Sequence, residues 1–196
     1  MSPWITVAKW ILLLSWIASG GLLAWNHLRV RKERKRQSIP EEKPSIRDPK
    51  SMQGLAIEGL SFLLAAIFTS FADTPADWQC ILSTVFSLLA VALFAVAIHH
   101  LGLEWRIKAV VTDDHRLVTT GPYSIVRHPI FAALISLLLA TSLLANPPWA
   151  TPLCLAVCLY GTEIRVKAED GLLLRKFGPE FASYRARVPA YLPFFH

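Results

Sequence analysis

The sequence predicts an all-α integral membrane protein with about five transmembrane helices. Three observations carry that prediction: the apolar composition, the length of the apolar runs, and the placement of the basic residues. Hydrophobic residues make up 54% of the 196 and charged residues only 17%, where a soluble domain carries about 25% charge. Mean hydropathy is +0.42 and the pI about 9.5. A net charge of +6 in a soluble protein would suggest nucleic-acid binding, but here the charge sits in blocks between apolar runs. This pattern excludes a disordered chain, a disulfide-rich secreted module and most soluble enzymes.

A helix crosses roughly 30 Å of hydrocarbon with about 20 mostly apolar residues. Five stretches qualify or nearly so: residues 4–25, 55–71, 78–98, 130–144 and 149–160. The last two are short and joined by Asn146-Pro147-Pro148, where the prolines stop one helix and start the next, predicting a tight antiparallel hairpin. The first run is too long for a signal peptide, has no small-residue cleavage site after it, and is followed by its basic block. Residues 37–53, with Pro40, Pro44 and Pro49, read as a solvated loop without a regular element.

Basic residues fix the orientation. Residues 29–53 hold nine Lys and Arg, residues 101–128 hold four and the tail from Thr162 holds six, while the links at 73–77 and 146–152 hold none. Nineteen of the 20 basic residues therefore fall on one side of a five-span arrangement. The N-terminus is expected outside and the C-terminus in the cytosol. The run Arg29–Arg36 reads as a topology signal that also meets anionic headgroups, not as a nucleic-acid patch.

The three cysteines, Cys80, Cys154 and Cys158, lie inside apolar stretches and make no disulfide framework. Cys154 and Cys158 are one helical turn apart, but no His, Asp or Glu shares their segment, so they read as small lipid- or core-facing residues and no metal is expected. The outer links are too short to build a site. Chemistry is expected from residues 99–128 and 161–196, which the hairpin brings together. Gly121-Pro122 is a turn, and Arg127 and His128 precede Pro129 at the start of the fourth helix. An Arg, a His and a positive dipole end there suit a carboxylate or phosphate, or simply headgroups. Spacing of i to i+4 places Arg165 beside Glu169 and Glu163 beside Lys167.

The order of these pieces is distinctive. His99, Leu101-Gly102 and Trp105 come first, then His115, Leu117-Val118, Gly121-Pro122-Tyr123 and Arg127-His128-Pro129. After the apolar hairpin come Arg165, Glu169-Asp170, Leu173, Phe177-Gly178, Phe181, Tyr184, Val188 and Pro193. In this ordered set the sequence resembles the isoprenylcysteine carboxyl methyltransferase family, within the wider group that includes phospholipid N-methyltransferases. The resemblance covers roughly residues 96–193. It implies an S-adenosylmethionine pocket on the cytosolic side, closed by a C-terminal helical segment, with a lipophilic substrate arriving from the bilayer. By that resemblance His115, Leu117, Val118, Gly121, Tyr123, Arg127, His128 and Glu169 are candidate cofactor contacts. Arg165 and Glu169 are the candidates for the transfer itself, Arg165 orienting an anionic acceptor. The family usually carries Glu-Glu at the Glu169-Asp170 position and Tyr where this chain has Phe131.

Three regions result: a first span and basic loop (1–53), a helical hairpin (54–98) and a methyltransferase core (99–196). The expected activity is methyl transfer to an isoprenylcysteine-type carboxylate. A phospholipid amine or a small thiol is an alternative acceptor. An NADPH-dependent membrane reductase and a non-enzymatic transporter or scaffold are the alternatives in other classes.

Overall fold

The structure, a computed structural model, describes residues 3–37, 46–71, 74–102, 110–111 and 116–193. Six helices make up almost all of it: α1 (Pro3–Arg36), α2 (Pro49–Phe68), α3 (Asp77–Leu101), α4 (Pro129–Ala145), α5 (Ala150–Phe177) and α6 (Pro179–Arg187). Short 3-10 turns cover Thr69–Phe71 and Gly121–Ser124. Two two-residue strands, β1 (Ile46–Arg47) and β2 (Val110–Val111), pair antiparallel with Ile46 opposite Val111.

The helices are turned inside out relative to those of a soluble bundle. Large apolar side chains such as Trp10, Leu14, Ile17, Leu63, Ile81, Val85 and Leu88 lie exposed on the surface. Ser15, Ser19, Asn26, Ser61, Ser83, Ser87 and Thr162 are buried between helices. Lipid is as apolar as leucine, so helices in a bilayer associate through close contact of small and polar residues. Helices α1, α2 with its 3-10 turn, and α3 are each long and apolar enough to cross a membrane, and α4 is a shorter apolar helix. The chain is an integral membrane protein. Trp4 and Trp25 lie 21 residues apart on α1, about 32 Å at 1.5 Å per residue, which is the length a hydrocarbon layer requires.

Two elements differ from the sequence expectation. α1 runs on through the basic block to Arg36, because Arg, Lys and Glu are good helix formers and the cations of its last turn meet the negative end of the helix dipole. α2 begins at Pro49, so the stretch 37–53 is not entirely loop: the Asp48 carboxylate accepts from the Lys50 N–H at 2.9 Å and Pro49 takes the first turn.

The α4–α5 hairpin forms as expected, yet its helices pack more extensively on others, α4 on α3 and α5 on α2. Along α2 the buried residues are Ser51, Gly54, Glu58, Ser61 and Ala65, at alternating spacings of three and four. Cys154, Cys158, Gly161 and Arg165 form the facing stripe of α5. The seam closes tightly where glycine meets glycine. A Cβ on Gly54 would fall 2.6 Å from the Gly161 carbonyl oxygen, and one on Gly161 would fall 2.8 Å from the Gly54 carbonyl oxygen. Farther along, the Asn146 amide donates to the Ala65 carbonyl at 2.6 Å, and Gln79 and Ser83 of α3 donate to the Leu143 and Ala140 carbonyls of α4.

Gly54→Ala therefore forces two backbones apart and should destabilise the protein by about 1–3 kcal/mol. Gly59→Ala, on the same helix but with open space around it, should be neutral or stabilising by up to about 1 kcal/mol. Thermal unfolding in detergent, followed by tryptophan fluorescence, compares the two.

Candidate active site

The polar ends of α4 and α5 meet the C-terminal segment in a buried cluster of alternating charge. Pro129 starts α4, which leaves Arg127 and His128 just outside its first turn. α5 continues unbroken to Phe177 and presents Arg165, Glu169 and Asp170 at the same level. Asp170 receives Arg127 Nη2 at 2.9 Å on one oxygen and His128 Nε2 at 2.9 Å on the other. The anion expected at the start of α4 is thus the chain's own carboxylate. His128 Nδ1 faces Glu169 Oε2 at 3.4 Å. With a carboxylate at each ring nitrogen, His128 can satisfy both only as an imidazolium.

The electrostatics agree. Burial alone would lower the His128 pKa, but hydrogen bonds to Asp170 and Glu169 outweigh it and hold the pKa above the ordinary 6.5. Burial likewise works against the Asp170 charge, and its bonds to His128 and Arg127 hold that pKa below the ordinary 3.8.

A second pair lies deeper. Arg165 Nη1 donates to Glu58 Oε2 of α2 at 2.5 Å, and Thr162 donates to the other Glu58 oxygen at 2.9 Å. Arg165 Nη2 is also 3.8 Å from Glu169 Oε1, so the i to i+4 pair expected from the sequence is present, though loose. Phe131 joins the two charged groups: the Arg165 guanidinium lies 4.4 Å from its ring centroid and the His128 ring stacks on it at 5.3 Å.

The C-terminal segment straps this cluster. The N–H groups of Arg127 and His128 donate to the Pro189 and Ala190 carbonyls at 2.9 and 2.8 Å. Arg127 Nη1 donates to the Val188 and Arg185 carbonyls. Tyr184 donates to the Tyr123 carbonyl at 2.5 Å and Tyr191 to Glu163 at 3.1 Å. Phe181, Tyr184 and Val188 form a small apolar core with Leu117, Leu173 and Phe177.

Of the residues singled out from sequence, Arg127, His128, Arg165 and Glu169 come together directly. Tyr123 is buried, and Leu117 belongs to the core under α6. Val118 is half-buried, Gly121 opens the 3-10 turn, and His115 lies outside the described residues. Glu58 was not singled out. A lone acid on an apolar membrane helix demands a partner; that rule marks Glu58, while only the packing of α2 on α5 names Arg165.

Two kinds of atom remain unspent. Among the described residues, the Tyr123 hydroxyl and the Nε atoms of Arg127 and Arg165 are buried without a hydrogen-bond partner. The phenol stays protonated, since burial and then the charge of Glu169 raise its pKa well above 10.0. Glu169 keeps 24% of its side chain exposed while Asp170 keeps 5%, so Glu169 is the carboxylate open to a ligand.

Removing one partner of a buried pair strands a charge. Glu58→Leu alone should cost about 3–5 kcal/mol, and the double change Glu58→Leu with Arg165→Met should recover most of it. Chemical denaturation in detergent reads both. A pH test isolates His128: a raised folded pKa gives stability that is complete below about pH 6.5 and lost as pH climbs through the folded value. The unfolding temperature should fall above pH 6.5, and His128→Gln should remove that part of the slope.

Comparison with known proteins matches residues 82–175, from α3 through most of α5, to the isoprenylcysteine carboxyl methyltransferase family. The nickel-cobalt-cadmium resistance protein NccN of Alcaligenes xylosoxydans xylosoxydans is 31% identical over 136 residues, covering 68% of this chain and 61% of that protein. The protein-S-isoprenylcysteine O-methyltransferase of Schizosaccharomyces pombe is 29% identical over 133 residues, 68% of this chain and 54% of that enzyme. The enzyme of the same name from Homo sapiens is 34% identical over 84 residues, 42% and 29% of the two chains. The chain thus spans about 60% of the length of NccN and less of the other two. Residues 82–175, which carry most of the charge cluster, are similar to the isoprenylcysteine carboxyl methyltransferase family.

Proposed function

We propose that this protein is a membrane-embedded methyltransferase that uses S-adenosylmethionine and methylates the carboxylate of an isoprenylcysteine-type acceptor drawn from the bilayer. One observation carries the reading. Within the family-matched segment, a charge-compensated cluster leaves one carboxylate, Glu169, partly open and within electrostatic reach of the buried Tyr123 hydroxyl, which has no partner among the described residues. That donor set fits a ligand carrying both positive charge and polar hydrogen-bonding groups. When bound, S-adenosylmethionine supplies a methyl group on a sulfonium sulfur, from which an in-line nucleophile can take it.

Glu169 and Tyr123 are the residues proposed to hold the methyl donor. Arg127 and His128 act behind them: tied up by Asp170, they fix the end of α4 on α5 and keep Glu169 in place. Arg165 is assigned to the acceptor. Glu58 holds one edge of its guanidinium and Phe131 lies against it, while Nε, without a partner among the described residues, can donate to an anionic oxygen. A carboxylate acceptor attacks without losing a proton, so the site needs position and dryness more than a base. An amine acceptor would have to give up a proton, and Glu169 is the group able to take it. The five-span reading completes the proposal: α4 and α5 cross as a hairpin, the N-terminus lies outside, and the cluster faces the cytosol beside the basic end of α1.

Purified protein in detergent should bind S-adenosylmethionine. Glu169→Gln and Tyr123→Phe should each weaken that binding by about 1–3 kcal/mol, whereas Arg165→Lys should leave it near wild type and depress turnover. Calorimetry and transfer of a radiolabelled methyl group to a farnesylcysteine analogue, a phosphatidylethanolamine or a lipophilic thiol measure these effects. Absence of binding refutes the enzyme class. Transfer only to the amine or only to the thiol refutes the acceptor assignment.

A further inference from the structure

The 3-10 turn Gly121–Ser124 is gripped from two sides, and one grip belongs to a residue that has no role so far. His100, in the last turn of α3, lays its ring against Gly121. A Cβ on Gly121 would fall 2.2 Å from Nε2, 2.3 Å from Cδ2 and 2.6 Å from Cε1 of that ring. The ring therefore occupies the volume that any side chain at position 121 would need. Gly121 also holds φ at +61°, the left-handed conformation that glycine takes without strain. The ring is itself anchored: Nδ1 lies 2.9 Å from the Val96 carbonyl, which can only accept, so Nδ1 carries a proton and donates it there.

On the other side, the Tyr184 hydroxyl holds the Tyr123 carbonyl at 2.5 Å. Between the two grips the turn closes on itself. Tyr123 N–H bonds to the Thr120 carbonyl at 3.2 Å, and the Ile125 and Val126 N–H groups both bond to the Pro122 carbonyl at 3.1 Å. The one polar group of Tyr123 left without a partner among the described residues is its hydroxyl.

We propose that His100 is a positioning residue: by clamping Gly121 it fixes the turn that presents the Tyr123 hydroxyl to the methyl donor. The clamp is a property of the chain itself, while the identity of the ligand rests on the methyltransferase reading above. The physical gain is preorganisation. A hydroxyl held in one place before the ligand arrives does not have to be ordered when it binds.

The test uses the full chain in detergent with His100→Ala, Gly121→Ala and the double variant. Opening the contact from either side should speed amide hydrogen exchange at Tyr123, Ile125 and Val126 by about tenfold or more, with amides in the middle of α4 unchanged. His100→Ala should raise the KM for S-adenosylmethionine about five- to tenfold, the scale of one lost hydrogen bond, and leave kcat at saturation near wild type. A loss of folding alone would not produce that split. Because His100→Ala removes the ring that a Cβ at position 121 would strike, only the strain of the positive φ carries over and the double variant should lose less than the product of the two single effects. Unchanged exchange and unchanged KM in His100→Ala overturn the proposal, as does a double variant whose loss is the product of the two. If the wild type binds no S-adenosylmethionine, the methyltransferase reading fails, and exchange at the three amides alone then decides the clamp.

Discussion

Charge buried inside a protein must be cancelled, and this fold is arranged around a line of cancellations. Glu58, Arg165, Glu169, His128, Asp170 and Arg127 follow one another with alternating sign, each 2.5–3.8 Å from the next. The line runs from α2 through α5 to the start of α4, and Arg127 passes it on to the carbonyls of the C-terminal segment. Burying an ion pair yields little net stability, but stranding one member is costly. The network therefore fixes which helices are neighbours more than how strongly they hold. It also makes His128 part of the sum: without a proton on both ring nitrogens, the line would have one carboxylate too many.

Such closeness requires backbones to approach first. The Gly54–Gly161 contact brings α2 and α5 near enough for Glu58 to reach both Thr162 and Arg165. Methyl groups there would prise apart the surfaces that the ion pair bridges. In a bilayer, where burying leucine against leucine gains little, small residues and buried polar bonds take over the work that a hydrophobic core does in water. The exposed tryptophans and leucines of α1 and α3 and the serines buried between the same helices express that inversion residue by residue.

Most of the helices and half of the site could be read from the sequence, for different reasons. Apolar runs announce membrane helices because the bilayer filters composition, and Asn146-Pro147-Pro148 announces a hairpin because proline cannot continue a helix. The beginning of α2 was missed because Pro44 and Pro49 read as loop, although Asp48 followed by Pro49 is a helix start. Arg127, His128 and Glu169 were legible through the order of motifs. Glu58 was not, since its meaning lies in a partner 107 residues away. Nor could spacing reveal that Asp170 fills the anion position before α4 or that Phe131 lies between Arg165 and His128. Both are facts of packing among segments remote in the chain.

The continuity of α5 has a mechanical meaning. One unbroken helix carries Cys154 and Cys158 among the apolar helices and Arg165, Glu169 and Asp170 in the charge cluster. Its proline, Pro152, sits in the first turn, where no helix hydrogen bond is lost, so the helix behaves as a stiff rod from there to Phe177. Whatever inclination the packing against α2 and α4 imposes on its apolar half is delivered to its charged half. The seam between α2 and α5 is in this way one of the coordinates that set the geometry of the cluster.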